Sequence, residues 1–219
     1  MVPSSFSSKS RGRSETVLQT SEQFFKPATL KSKGFVDGLL RGMAEQGSAL
    51  WDSSFVEDLR NHMFESSKGR GGLDLVAVNI QRGRDHGIPS YNSMRTFCGL
   101  NPLTTMNTRP DEINAEDWAN LADIYTSVDQ IDAFSGGLAE QPTDDDSLVG
   151  PTFSCIITIQ FQRLMRGDRF FFAHGRSEVT EGLKSRSLRT VQSRSLSDII
   201  CDNTDAQRVP EKAMLSQNH

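Results

Sequence analysis

Between Leu73 and Cys98 the chain reads Leu-Asp-Leu-Val-Ala-Val-Asn-Ile-Gln-Arg-Gly-Arg-Asp-His-Gly-Ile-Pro-Ser-Tyr-Asn-Ser-Met-Arg-Thr-Phe-Cys. The run starts apolar and then takes on Asn79, Gln81, Arg82, Arg84, Asp85 and His86 within eight residues. It stops at Gly87 and Pro89. Leu75, Val76, Val78 and Ile80 are compatible with a strand. A helix is the better reading, because glycine suits the left-handed position after a helix and proline cannot continue one. On a helix, Leu75, Asn79, Arg82 and His86 form one stripe, and Asn79 and Arg82 lie one turn apart, directed at the same object. That many polar groups on an apolar body need polar partners, since burying a polar group without one is costly.

The rest of the chain is patterned mainly for helices, so the fold class is mainly α and multi-helical. Phe35, Val36, Leu39, Leu40 and Met43 recur at helical spacing, and Gly47 ends that run. Ser54 to Glu57 has the form of a capping box, ahead of Phe55, Val56, Leu59 and Met63. The glycines between Lys68 and Gly72 read as a turn. A short helix is expected from about Ser90 to Phe97. Asn114 is placed to cap a helix carrying Trp118, Leu121, Ala122, Tyr125 and Val128. Asp129 to Leu138 holds Gly136-Gly137. Phe153, Ile156, Ile157, Phe161 and Leu164 mark an amphipathic helix ended by Gly167, followed by a Phe170-Phe171-Phe172 cluster that reads as core. One more helix is expected over about Thr190 to Ile200. No paired strands and no internal repeat are evident.

Composition bears on function mainly by exclusion. With 219 residues, the chain suffices for one or two domains. The net charge of -4 gives no support to nucleic-acid binding. No stretch approaches the about 18 apolar residues of a membrane helix. The N-terminus lacks the apolar core of a signal peptide, and no Asn-x-Ser/Thr acceptor occurs. Residues 1–22 are rich in serine with Lys9, Arg11 and Arg13, and read as a disordered arm. The three cysteines, Cys98, Cys155 and Cys201, fit either a reducing compartment or one pair with a third left over.

Several blocks, in order, resemble the animal haem peroxidases. They are Leu73-Asp74-Leu75 through Asn79-Ile80-Gln81-Arg82-Gly83-Arg84-Asp85-His86-Gly87-Ile88-Pro89, Tyr91-Asn92 and Cys98-Gly99, then Ile131-Asp132 with Gly136-Gly137-Leu138-Ala139-Glu140, which resembles a family loop of that spacing. Val149-Gly150-Pro151-Thr152, Cys155, Gln160-Phe161, Gly167-Asp168-Arg169-Phe170 and Ile199-Ile200-Cys201-Asp202-Asn203-Thr204 continue the series. The resemblance runs from about Phe24 to Val209. It implies a multi-helical haem-peroxidase-like fold, here a partial domain over residues 23–209 with a tail at 210–219.

The implied cofactor is haem. Asn79 resembles the asparagine that accepts a hydrogen bond from the proximal histidine, and Arg82 the arginine that pairs with a haem propionate. Cys98 and Cys155 resemble a family disulfide pair, and Cys201 a cysteine whose partner lies further on. The implied activity is oxidation of small or protein-bound reducing substrates by hydrogen peroxide, in response to oxidative stress. The family's distal and proximal histidines, its distal arginine and its haem-linking carboxylates precede the matched region. None of His62, His86, His174 and His219 stands in a ligand motif. The chain is thus expected to be the C-terminal part of a peroxidase domain, without catalytic residues and inactive alone. Family members are mostly secreted.

The remaining motifs have plainer readings. Arg166-Gly167-Asp168 spells an integrin tripeptide, and peroxinectin-like relatives suggest the alternative of a non-catalytic binding or cell-adhesion fragment. A helix end explains it more simply, with Gly167 in the left-handed position. His86 beside Asp85 reads as a capping group, and Asp144 to Asp146 as a solvated loop rather than a cation site.

Overall fold

The computed structural model describes residues 5–8, 16–46, 51–65, 71–144, 147–177, 180–206 and 209–213. Among these, the helices in chain order are α1 (Phe35–Glu45), α2 (Glu57–Arg60), α3 (Leu75–Asp85), α4 (Tyr91–Phe97), α5 (Ala115–Ile124), α6 (Ala133–Ala139), α7 (Pro151–Gly167), α8 (Ser185–Gln192) and α9 (Leu196–Asn203). The mainly helical expectation holds. None of these helices is long and apolar enough to cross a membrane. The chain divides into two units, one formed by Met1–Ala49, Val56–Gly72 and Arg166–His219, the other by Leu50–Phe55 and Leu73–Met165.

In the first unit, Ser5–Ser8 (β1) pairs antiparallel with Thr16–Gln19 (β2). An arm without regular structure was expected there, and Lys9, Arg11 and Arg13 lie outside the described residues. Gly34, at φ 75°, opens α1, and Gln46 closes it by donating to the Gly42 carbonyl. Gly47, the expected stop, is outside the described residues, as is most of the expected turn from Lys68. α2 is far shorter than its pattern suggests. Val56 stands at its N-cap with no side-chain cap, so a Ser54–Glu57 box is not what opens it. Beyond Arg60 the chain is diverted: Phe64 takes φ 56°, and Gly72 lies so close that a Cβ there would sit 2.4 Å from the Asn61 carbonyl oxygen. Tertiary proximity overrides the helical period here.

The expected Thr190–Ile200 helix is two helices. Ser195 accepts from the Asp198 N–H at 3.1 Å, and Asp198 accepts from the Ser195 N–H at 2.8 Å. This capping box starts α9 afresh. Ile200 is buried with Ala206 and Ala213, and Val209 packs against them. The phenylalanine cluster is not core: Phe170 is 54% exposed and Phe172 42%.

The second unit is organised around Tyr91, Ile113, Trp118, Leu121, Tyr125, Val128, Ile131 and Ala139, with Leu103 and Met106 packed against them. Asn114 caps α5 as expected, its Oδ1 accepting from the Asp117 N–H at 2.8 Å. The face chosen by periodicity, Trp118, Leu121 and Tyr125, is the buried one, while Ala122 is exposed. The expected loop around Gly136-Gly137 contains a helix, α6. Its glycines serve close packing. A Cβ on Gly136 would lie 2.2 Å from the Tyr91 ring, and one on Gly137 2.2 Å from the Phe153 ring. The Cys98–Cys155 disulfide forms in this unit, with its Cα atoms 6.0 Å apart. Cys201 is free and exposed. α7 ends at Gly167 as expected, but Gly167 does not take the left-handed conformation. The apolar stripe of α7 stays open, with Phe161 60% and Leu164 55% exposed.

Candidate functional site

α3 is a helix because both ends are fixed locally. Asp74 Oδ1 accepts from the N–H groups of Val76 at 2.8 Å and Ala77 at 3.2 Å, satisfying two of the donors a helix N-terminus leaves open. At the other end Gly87 takes φ 64°, and its N–H and that of Ile88 return to the Arg84 and Gly83 carbonyls. His86 Nδ1 lies 2.9 Å from the Arg82 carbonyl oxygen, to which its N–H donates. The histidine therefore caps the helix.

Along this helix some polar side chains are partnered and others are not; exposed Gln81 and Asp85 have no side-chain partner among the described residues. Asp74 and His86 finish the ends, and Arg84 forks onto Asp132, with Nε 2.9 Å from Oδ1 and Nη2 2.6 Å from Oδ2. Asn79, half-buried, and Arg82, exposed, lie one turn apart on a face whose carboxamide and guanidinium have no partner among the described residues. An unpaired guanidinium suits a planar carboxylate. An unpaired amide oxygen at i−3 suits a ring N–H.

A second polar group lies deeper and was not singled out from sequence. Glu140, fully buried, accepts on Oε1 from the Tyr91 hydroxyl at 2.8 Å and the Thr152 hydroxyl at 2.6 Å, and on Oε2 from the Thr152 N–H at 2.7 Å. Thr152 is in the first turn of α7, so Glu140 serves as a cap supplied from the end of α6. Arg95, 3% exposed, donates to the Tyr91 hydroxyl at 2.8 Å, to Glu112 at 3.1 Å and to the Asn101 carbonyl at 2.8 Å. Burial pushes the Tyr91 phenol far above its ordinary value, and the Glu140 carboxylate adds to this, so Tyr91 stays a neutral donor. Among the described residues no buried side-chain polar atom lacks a partner. The network ties α4, α6 and α7 together. The signals for it were Tyr91 and Arg95 at i, i+4 and an acid directly after α6, but neither indicates burial.

The other sequence candidates are dispersed. Arg166 and Gly167 form the last turn of α7, and the Asp168 carboxylate accepts from the Phe170 N–H at 2.9 Å. His62 Nδ1 is 2.6 Å from Glu65, whose hydrogen bond raises the imidazole pKa. Asp144 accepts from the Ser147 hydroxyl at 2.7 Å, and Asp145 and Asp146 lie outside the described residues. Among the described residues no cluster of His, Cys, Asp or Glu is arranged to hold a metal ion.

The helix pattern and the motif blocks agree with a family model for animal haem peroxidase, which matches residues 1–214. The chain belongs to the animal haem peroxidase family. Thyroid peroxidase of Mus musculus is 37% identical over 199 residues, covering 90% of this chain and 21% of that protein. Lactoperoxidase of Mesocricetus auratus is 38% identical, covering 90% and 27%. Chorion peroxidase of Drosophila melanogaster is 32% identical, covering 95% and 25%. Among solved structures, peroxidase A from Dictyostelium discoideum superposes with a TM-score of 0.75 at 33% identity, covering 94% of this chain and 38% of that one. An Arabidopsis thaliana fatty acid alpha-dioxygenase shares the fold, with a TM-score of 0.68 at 21% identity, covering 92% and 33%. This haem peroxidase chain thus spans about a quarter of the curated relatives' length.

Proposed function

We propose that this chain contributes the proximal wall of a haem site in a peroxidase that oxidises reducing substrates with hydrogen peroxide. The observation that carries the reading is the couple on α3: Asn79 and Arg82, one turn apart on one face, with no side-chain partner among the described residues, while Arg84 and His86 are bonded within the protein. Arg82 pairs with a propionate and holds the cofactor edge against α3. The Asn79 side-chain oxygen accepts the N–H of the imidazole that ligates iron, which fixes the ring and makes it a stronger donor. Haem, when bound, supplies the redox chemistry on peroxide.

On this reading the ligating histidine and the distal proton-transfer groups belong to parts of the family domain that this sequence does not contain. Turnover therefore needs them, and this chain alone binds haem without peroxidase activity. The parent protein is secreted on this reading, where the Cys98–Cys155 bond persists.

The test is a haemin titration of the purified chain followed at the Soret band. Arg82→Ala is expected to weaken binding about 10- to 100-fold, the worth of a charge-assisted hydrogen bond. Asn79→Ala is expected to change the Soret spectrum on addition of imidazole, which stands in for the missing histidine. Unchanged affinity in Arg82→Ala, or no haemin binding by the unmodified chain, overturns the reading.

A further inference from the structure

α3 carries its unpaired face without a buried seam to fix its rotation. None of its residues is buried, and Val78 is 36% exposed. A helix held only by half-buried apolar contacts turns easily about its axis, and a turn of one residue would carry Asn79 and Arg82 off target. Arg84 is what opposes this. Its fork onto Asp132 is bidentate, and two parallel N–H···O bonds admit one orientation of the guanidinium plane.

Asp132 is itself held from several sides. Its Oδ2 also accepts from the Tyr125 hydroxyl at 2.8 Å, and its backbone pairs with Ser90. It stands at the N-cap of α6, where an aspartate ordinarily accepts from the N–H groups of its own helix. Here it makes no such cap. The carboxylate is turned to Arg84 and Tyr125 instead. Residues 82 and 84 lie about 200° apart around a helix. Pinning Arg84 against Asp132 therefore sets Arg82, and Asn79 one turn before it, on the opposite side.

We infer that the Arg84–Asp132 fork is a rotation stop for α3, and that Arg84 is a positioning residue for Asn79 and Arg82. As a positioning role it rests on the haem-facing reading of those two residues. The fork itself stands on the geometry above.

Two measurements on the full chain separate these claims. Arg84→Lys keeps the charge and loses the fork. Amide hydrogen exchange without haemin should quicken about fivefold within α3 and stay unchanged in α5. Haemin affinity should fall about two- to fivefold in Arg84→Lys, and should not change when Arg84→Lys is added to an Asn79→Ala, Arg82→Ala background. Unchanged exchange in α3 overturns the stop even if haemin binds as proposed. Equal weakening in both backgrounds overturns the positioning role and leaves general destabilisation. Absence of haemin binding by the unmodified chain overturns the haem reading, while faster exchange in Arg84→Lys would still support the stop.

Discussion

Replacing Glu140 by glutamine removes one charge from the centre of the second unit and changes almost no volume. The carboxylate accepts three hydrogen bonds, from Tyr91, the Thr152 hydroxyl and the Thr152 N–H. If the oxygen of the new amide meets the Thr152 N–H, its NH2 faces two hydroxyls, and Tyr91, already accepting from Arg95, is left with a proton and no acceptor. If the amide is flipped, NH2 opposes the Thr152 N–H. Each arrangement leaves a buried donor unpaired, at about 1–3 kcal/mol. Arg95 also loses a carboxylate 3.8 Å away and keeps only Glu112. The expected loss is about 3–5 kcal/mol, the range for removing one partner of a buried ion pair. Glu112→Gln is the control. Its side chain is 25% exposed, so water replaces the lost contact and about 1 kcal/mol is expected. Both tryptophans, Trp51 and Trp118, belong to this unit, so fluorescence during urea unfolding reports on it selectively. A Glu140→Gln loss below about 1 kcal/mol, or one equal to that of Glu112→Gln, refutes the network as the tie between α4, α6 and α7.

Gly136→Ala drives a methyl to within 2.2 Å of the Tyr91 ring and is expected to cost about 3 kcal/mol by overpacking, measured by the same unfolding assay. Cys98→Ser opens a loop with a sequence separation of 57, and the chain-entropy model gives a loss of about 4 kcal/mol, reproduced by adding reductant to the unmodified chain. Asp132 is held below its ordinary value of 3.8 by the Arg84 hydrogen bonds, so it binds fewer protons folded than unfolded. Its contribution is present above that value and is lost as the pH falls through the folded one. Stability measured from pH 5 downward should therefore fall less steeply in Asp132→Asn than in the unmodified chain.

Where neighbours within one turn decide the outcome, the sequence was sufficient. The body of α3 and its stop at Gly87, and α5 behind Asn114, follow from caps, period and the conformational freedom of glycine. The split between α8 and α9 was missed, since the apolar period runs on through Thr190 to Ile200, although the box that makes it, Ser195 with Asp198, spans only three residues. Where distant segments meet, local signals failed. Ser54 and Glu57 have the right spacing for a box, yet the chain is routed elsewhere. Gly136-Gly137 reads as a loop until Tyr91 and Phe153 are seen to occupy the space of their absent side chains. Glu140 is chemically an ordinary acid, and its burial becomes tolerable only where Tyr91 and Arg95 of α4 and Thr152 of α7 converge on it from two other places in the chain. The same division runs through α3 itself. Helical period alone puts Arg82 and Arg84 on opposite sides. Only Asp132, 48 residues further along, determines which of the two is paired and which has no partner among the described residues.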